Sequence, residues 1–170
     1  MKKFWLVTGV MVIFLVSVAL SAFAAPGKKP QGVEVRARVA GQIVLSIESG
    51  AEITFEVDPL NNPEDTAETQ LSVMTNAPQY AIVAQIGKFL IGNYDLIAHK
   101  KFFIRSKAPG TGQAIDTWTV PTEGEMPILK HEDGLTTGEI TIVQYKLKVD
   151  FSVPAGEGKL KIAFTAVAAL

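Results

Sequence analysis

Thr141-Ile142-Val143-Gln144-Tyr145-Lys146-Leu147-Lys148-Val149-Asp150-Phe151-Ser152-Val153 is the stretch that decides the fold. From residue 143 every odd position is apolar, and from residue 144 every even position is polar or charged. A period of two places one apolar row on one face of an extended chain and leaves the other face wet, whereas a helix would scatter both kinds around its axis. Pro154, Gly156 and Gly158 then interrupt the pattern, and Leu160, Ile162, Phe164 and Ala166 resume it against Lys159, Lys161 and Thr165. The pair reads as a β-hairpin.

The same period recurs upstream. Val33, Val35, Ala37, Val39, Ile43, Leu45 and Ile47 fall on odd positions, with Glu34, Arg36, Arg38, Gln42, Ser46 and Glu48 between them. Fifteen residues is long for one strand, so Ala40-Gly41 marks a bulge or a bend from one sheet to another. Ile53, Phe55 and Val57 form a further strand or hairpin partner. Two prolines and several Asn and Asp side chains make residues 58–65 a loop. Strands are expected at 69–75 and 80–86, joined by a connection of hairpin length at 76–79. Ile82, Val83 and Ile86 suggest that the second of these is buried on both faces. Shorter strands follow at 94–98, 102–106 and 114–120, and residues 121–138 are the longest irregular stretch. With no amphipathic helical pattern after residue 24, the chain is expected to be all-β. It reads as a single antiparallel β-sandwich, Ig-like or jelly-roll-like, of roughly eight to ten strands.

The N-terminus carries an address. Lys2 and Lys3, an uncharged apolar run at 4–20, and Ala22-Phe23-Ala24 have the order of a secretory signal peptide. The run is close to the lower limit for a membrane-spanning helix, but Pro26, Gly27 and Pro30 follow at once and favour cleavage over a retained anchor. The expected organisation is a signal peptide at 1–24, a linker at 25–32 and a β-sandwich at 33–170. The chain is therefore expected to be exported to a bacterial periplasm, cell surface or extracellular space, with no stable membrane span after cleavage. Cleavage leaves 14 basic against 17 acidic side chains, a formal charge of −3. Without a concentrated basic face, nucleic acid is not an expected partner. The absence of cysteine excludes thiol catalysis, disulfide exchange and Cys-ligated metal.

The stretch 33–57, in which Val-x-Ala-x-Val leads to Ile-x-Leu-x-Ile and then Ile-Thr-Phe, resembles the opening of small secreted bacterial surface proteins of the fimbrial-subunit and spore-coat type. Val153-Pro154-Ala155-Gly156 followed by 159–167 is similar to the last hairpin of such domains. The resemblance covers the two ends of the mature region. It departs from several relatives in lacking cysteines and in having Glu56 after Phe55. It implies a structural or adhesive role.

Candidate sites are few. His99 and His131 have no second histidine at ligand spacing and read as solvated loop residues, and Glu123, Glu125 and His131-Glu132-Asp133 read as a polar surface loop. Asp58, Asn61, Asn62, Glu64 and Asp65 concentrate oxygen donors of the kind calcium prefers, but in no EF-hand spacing, so turn-forming side-chain chemistry is the preferred reading. Trp118, the only tryptophan after residue 24, is read as a core filler, with a sugar-stacking platform shared with Tyr80 or Tyr94 as the alternative. Val33, Val35, Ala37, Val39 and Ile43 are candidates for a strand donated to a neighbouring subunit. No Gly-x-Ser-x-Gly or His-Glu-x-x-His motif occurs, and no cofactor is expected. The expected function is a non-enzymatic surface subunit that assembles with itself or with other surface subunits through strand edges. The alternative is a secreted carbohydrate-binding module, calcium-dependent or not, with polysaccharide as partner.

Overall fold

A computed structural model of the chain describes residues 36, 37, 39–132 and 136–169. The signal peptide, the linker, Val33 and Val35 lie outside the described residues. Ten strands occur among those described: β1 (Ile43–Ser49), β2 (Glu64–Thr75), β3 (Gln79–Ile86), β4 (Leu90–Ile91), β5 (Tyr94–Asp95), β6 (Phe102–Lys107), β7 (Gln113–Ala114), β8 (Gly124–His131), β9 (Thr136–Lys148) and β10 (Ile162–Ala169). One four-stranded sheet has the order β1-β2-β9-β6 and the other β10-β3-β8-β7, while β4 and β5 form a small separate hairpin. All pairings are antiparallel. The chain is an all-β sandwich.

The alternation does what period two predicts. Leu71 and Val73 of β2, Ile104 of β6 and Val143, Tyr145 and Leu147 of β9 face Tyr80, Ile82, Ala84 and Ile86 of β3 and Ile128 and Leu129 of β8 in one buried cluster. The Phe102 ring meets Phe89 edge-on at 5.3 Å and lies nearly parallel to Tyr145 at 6.1 Å. Most buried phenol hydroxyls have a hydrogen-bond partner. The Tyr145 hydroxyl donates to Thr69 Oγ1 at 3.1 Å, and that hydroxyl donates to the Gly50 carbonyl at 2.8 Å.

Both expected hairpins are crossovers between sheets. The strands β9 and β10 sit in different sheets, as do β2 and β3. The β9 pattern stops at Lys148 because Val149 N–H turns to the Pro63 carbonyl and Asp150 accepts the Ser152 N–H and hydroxyl, which leaves Phe151 83 % exposed. Residues 149–161 then carry the chain to the other sheet. At 76–79 the crossing is held by Thr75, whose hydroxyl donates to the Gln42 carbonyl and accepts from Ala77 N–H.

Five further stretches differ from expectation. Residues 124–131, read as irregular, are β8. Pro127 is tolerated there because it sits opposite Val83 at a register shift, and β7 pairs only with Leu129 and Lys130 on the other side. The start of β9 moves back to Thr136 through a bulge at Gly138, whose φ of +116° suits glycine. Residues 53–57 form no ladder. Within 94–98 and 114–120 only β5 and Ala114 lie in named strands, although Thr119 makes an isolated bridge with Ile104.

Candidate functional site

The two flanks of the sandwich are built differently. On one, residues 115–119 pass from β7 onto the outer edge of β6. Ile104 and Thr119 exchange backbone hydrogen bonds of 2.8 and 2.9 Å, and Ser106 N–H donates to the Ile115 carbonyl at 2.9 Å. The Ser106 hydroxyl also accepts from Ile115 N–H and donates across the sheets to the Ile128 carbonyl at 2.6 Å. That flank is stitched shut.

On the other flank β1 and β10 end their sheets, and among the described residues no strand is bonded to the outer edge of either. Natural proteins commonly protect such edges with lysine, proline or inward charge. Here β10 reads Ile-Ala-Phe-Thr-Ala-Val-Ala-Ala and carries no charge, and β1 carries Glu48 alone. Between the 47–57 stretch and residues 156–164 the sheets part around a cleft of about 680 Å³, lined by Ile53, Phe55, Phe89, Phe102, Ile162 and Phe164. Glu52, Glu157 and Lys159 also line it. Ile47 shares the inward parity of Ile43 and Leu45 yet is 49 % exposed, because it faces this uncovered cleft.

Gly50 lines the cleft at the point where β1 ends. After Ser49 the chain leaves the ladder with β2, and Gly50, at φ +69°, passes so close to Glu68 and Thr69 that a Cβ would collide with their backbone atoms. At the other end of β1, Asn76 anchors the incoming chain. Its side chain accepts from Gln42 N–H at 2.6 Å and donates to the Ala40 carbonyl at 2.9 Å. Upstream of that anchor Val39 is 81 % exposed, and Ala37 is exposed and outside any strand. Ile43, by contrast, pairs with Thr75 in its own sheet, so it is not free for donation.

The other predicted site residues are scattered. Asp58 and Asn62 exchange backbone hydrogen bonds of 2.8 and 3.0 Å, and Asp58 Oδ1 accepts from the N–H groups of Leu60 and Asn61 at 2.8 Å. These N–H groups hold the Asp58 carboxyl below its usual range. Asn62 Nδ2 donates to the Glu56 carbonyl, Asp65 accepts from Glu56 and Thr66 N–H, and Glu64 pairs with Lys146 at 3.7 Å. Their polar atoms close a turn and its flanks rather than converging. Among the described residues no cluster of three or more His, Asp and Glu side chains could hold a metal ion.

Trp118 is not a core filler. It packs against the guanidinium of Arg105 at 4.4 Å and the ammonium of Lys146 at 4.7 Å, two side chains on the outer face of the β6–β9 pair. Arg105 Nε donates to Gln144 at 2.8 Å, which continues the row across the sheet to Glu68. Neither proposed partner joins Trp118 in a platform. Tyr80 is buried, and Tyr94 stacks on His99 at 4.1 Å beside a shallow hollow of about 490 Å³. His131 is not a loop residue either. It ends β8, is 5 % exposed, stacks on Tyr80 at 5.0 Å and lies 3.3 Å from Glu139 through Nε2. Glu125 also lies in β8, whereas Asp133 is outside the described residues.

No protein-family model matches the chain, and no curated protein matches it significantly.

Proposed function

We propose that the protein is a non-enzymatic, exported surface subunit, structural or adhesive, that assembles through its strand edges. The observation that carries this reading is the contrast between the flanks, one stitched by residues 115–119 and the other presenting two nearly uncharged edges around a cleft with aliphatic and aromatic side chains in its lining. An unpaired edge offers backbone donors and acceptors at strand spacing, and an apolar cleft beside it offers a seat for alternate side chains. Ile53, Phe55, Phe89, Phe102, Ile162 and Phe164 line the cleft beside the charged Glu52, Glu157 and Lys159. The partners are further copies or other surface subunits. Sizing and negative-stain microscopy test the reading. The expected result is concentration-dependent oligomers or fibres, and a monomer at every concentration would refute it.

A further inference from the structure

Three segments, 91–94, 95–101 and 150–158, meet where β9 finishes and β6 begins, and each is tied down. Asp95 Oδ1 accepts from Ile97 and Ala98 N–H at 2.9 and 3.2 Å, and His99 N–H donates to the Asp95 carbonyl at 3.0 Å. That turn lays the His99 ring on Tyr94, 4.1 Å away and within 13° of parallel. Ser152 Oγ gives its one hydrogen to Asp150, which also accepts from the Lys101 ammonium, so the Tyr94 hydroxyl is the donor in its 3.3 Å bond to Ser152. The last segment lies directly on β4, where a Cβ at Gly158 would stand 2.9 Å from the Leu90 carbonyl oxygen.

Between these segments lies the hollow of about 490 Å³, inside the range of roughly 300–1,000 Å³ found for small-ligand sites. Tyr94 and His99 share its lining with Asn93, Glu157, Ile91 and Pro154, and no lysine or arginine lines it. Because the two rings cover each other, they present one flat wall, whereas quaternary ammonium groups are held in cages of several rings. A phosphate or an acidic sugar would meet the Glu157 carboxylate with no cation in the lining to offset it. We infer that the hollow binds one ring of a neutral β-linked pyranose chain. A pyranose with equatorial substituents has a flat face of C–H groups that suits the aromatic wall. Its rim of hydroxyls suits the Asn93 amide, which donates and accepts, and the Glu157 carboxylate, which accepts. The hollow is shallow, so neighbouring sugars continue past it on either side. A ring already fixed at both its face and its hydroxyl loses little freedom on binding. None of the lining residues lies in β1 or β10, so the site goes beyond edge assembly and does not depend on it.

Saturation-transfer difference NMR on the full chain tests this with cellohexaose and chitohexaose as separate probes, because it reads the sugar hydrogens whatever size the protein assembles to. Saturation is expected chiefly on the axial hydrogens of one face of the sugar ring. Tyr94→Ala should abolish the transfer and Tyr94→Phe, which keeps the wall, should retain it. Glu157→Ala replaces an exposed side chain, so the fold is kept even if Tyr94→Ala loses it. That variant should raise Kd about tenfold, the scale of a lost hydrogen bond to a charged group. Trp118→Ala should bind as the wild type does, since that ring is engaged by Arg105 and Lys146 on another face of the molecule. No transfer to either probe, or unchanged binding by Glu157→Ala, would overturn the inference. Loss of binding in Trp118→Ala would overturn it too, by moving the contact to the β6–β9 face. A chain that binds cellohexaose yet stays monomeric at every concentration would uphold this inference and refute edge assembly alone.

Discussion

Among single residues, Gly50 has a disproportionate part in the open flank. Its left-handed φ lets the chain leave β2 while its carbonyl still accepts the Thr69 hydroxyl, and its hydrogen takes the place where a Cβ would meet the Glu68 and Thr69 backbone. Gly50→Ala is therefore expected to cost at least about 1–2 kcal/mol from the backbone conformation alone, read as a lower urea midpoint. A second residue-scale prediction concerns the two buried phenols. Burial pushes the hydroxyls of Tyr80 and Tyr145 up to about 12, with Glu139 adding to the rise at Tyr80. The neutral form is thus favoured in the folded state. Between pH 10 and 12 the unfolded chain releases these protons and the folded chain retains them, so stability complete below pH 10 falls as pH rises. Thermal melts across that range should show it, and Tyr145→Phe should flatten the fall. None of this was legible in the sequence, because a glycine or a tyrosine in a strand pattern reveals neither its φ nor its depth.

At the level of elements, periodicity reports which face of a strand is buried and is silent about which strand pairs with it. The apolar rows of β9 and β10, and of β2 and β3, were legible for that reason, while both connections were misread as hairpins. A partner in the facing sheet imposes the same alternation as a partner in the same sheet. The composition of β8 hid it for a different reason, since Gly124 and Pro127 look like breakers until the register shift and the two-residue β7 are seen beside them. Trp118 was misplaced because its flanking threonines suggested a strand interior, whereas the ring lies over cations supplied from β6 and β9. Trp118→Ala should accordingly cost about 1–2 kcal/mol, the scale of two cation–π contacts, rather than the about 3–5 kcal/mol of a tryptophan removed from a core. Urea unfolding decides between these magnitudes.

For the molecule as a whole, the question is whether the sandwich is complete as one copy. The stitched flank shows how this chain closes an edge, with a crossing segment that supplies backbone partners and a serine that ties the two sheets. Nothing equivalent among the described residues covers β1 and β10, and the cleft beside them was not legible in the sequence, because its lining comes from segments as distant as Ile53, Phe89 and Phe164. The edge itself can be tested without disturbing either cleft or core. Val167 faces outward on β10 and is 50 % exposed, so Val167→Lys adds to the edge the charge that natural edge strands use against pairing. Stability should change by no more than about 0.5 kcal/mol, as for most surface substitutions. Light scattering should nonetheless show weaker self-association, with added salt recovering part of it by screening the repulsion between charged edges. Assembly that proceeds as in the wild type would place the contact elsewhere than β10. Loss of assembly together with loss of the fold would instead mean that Val167 has a packing role, which its half-exposed position does not suggest.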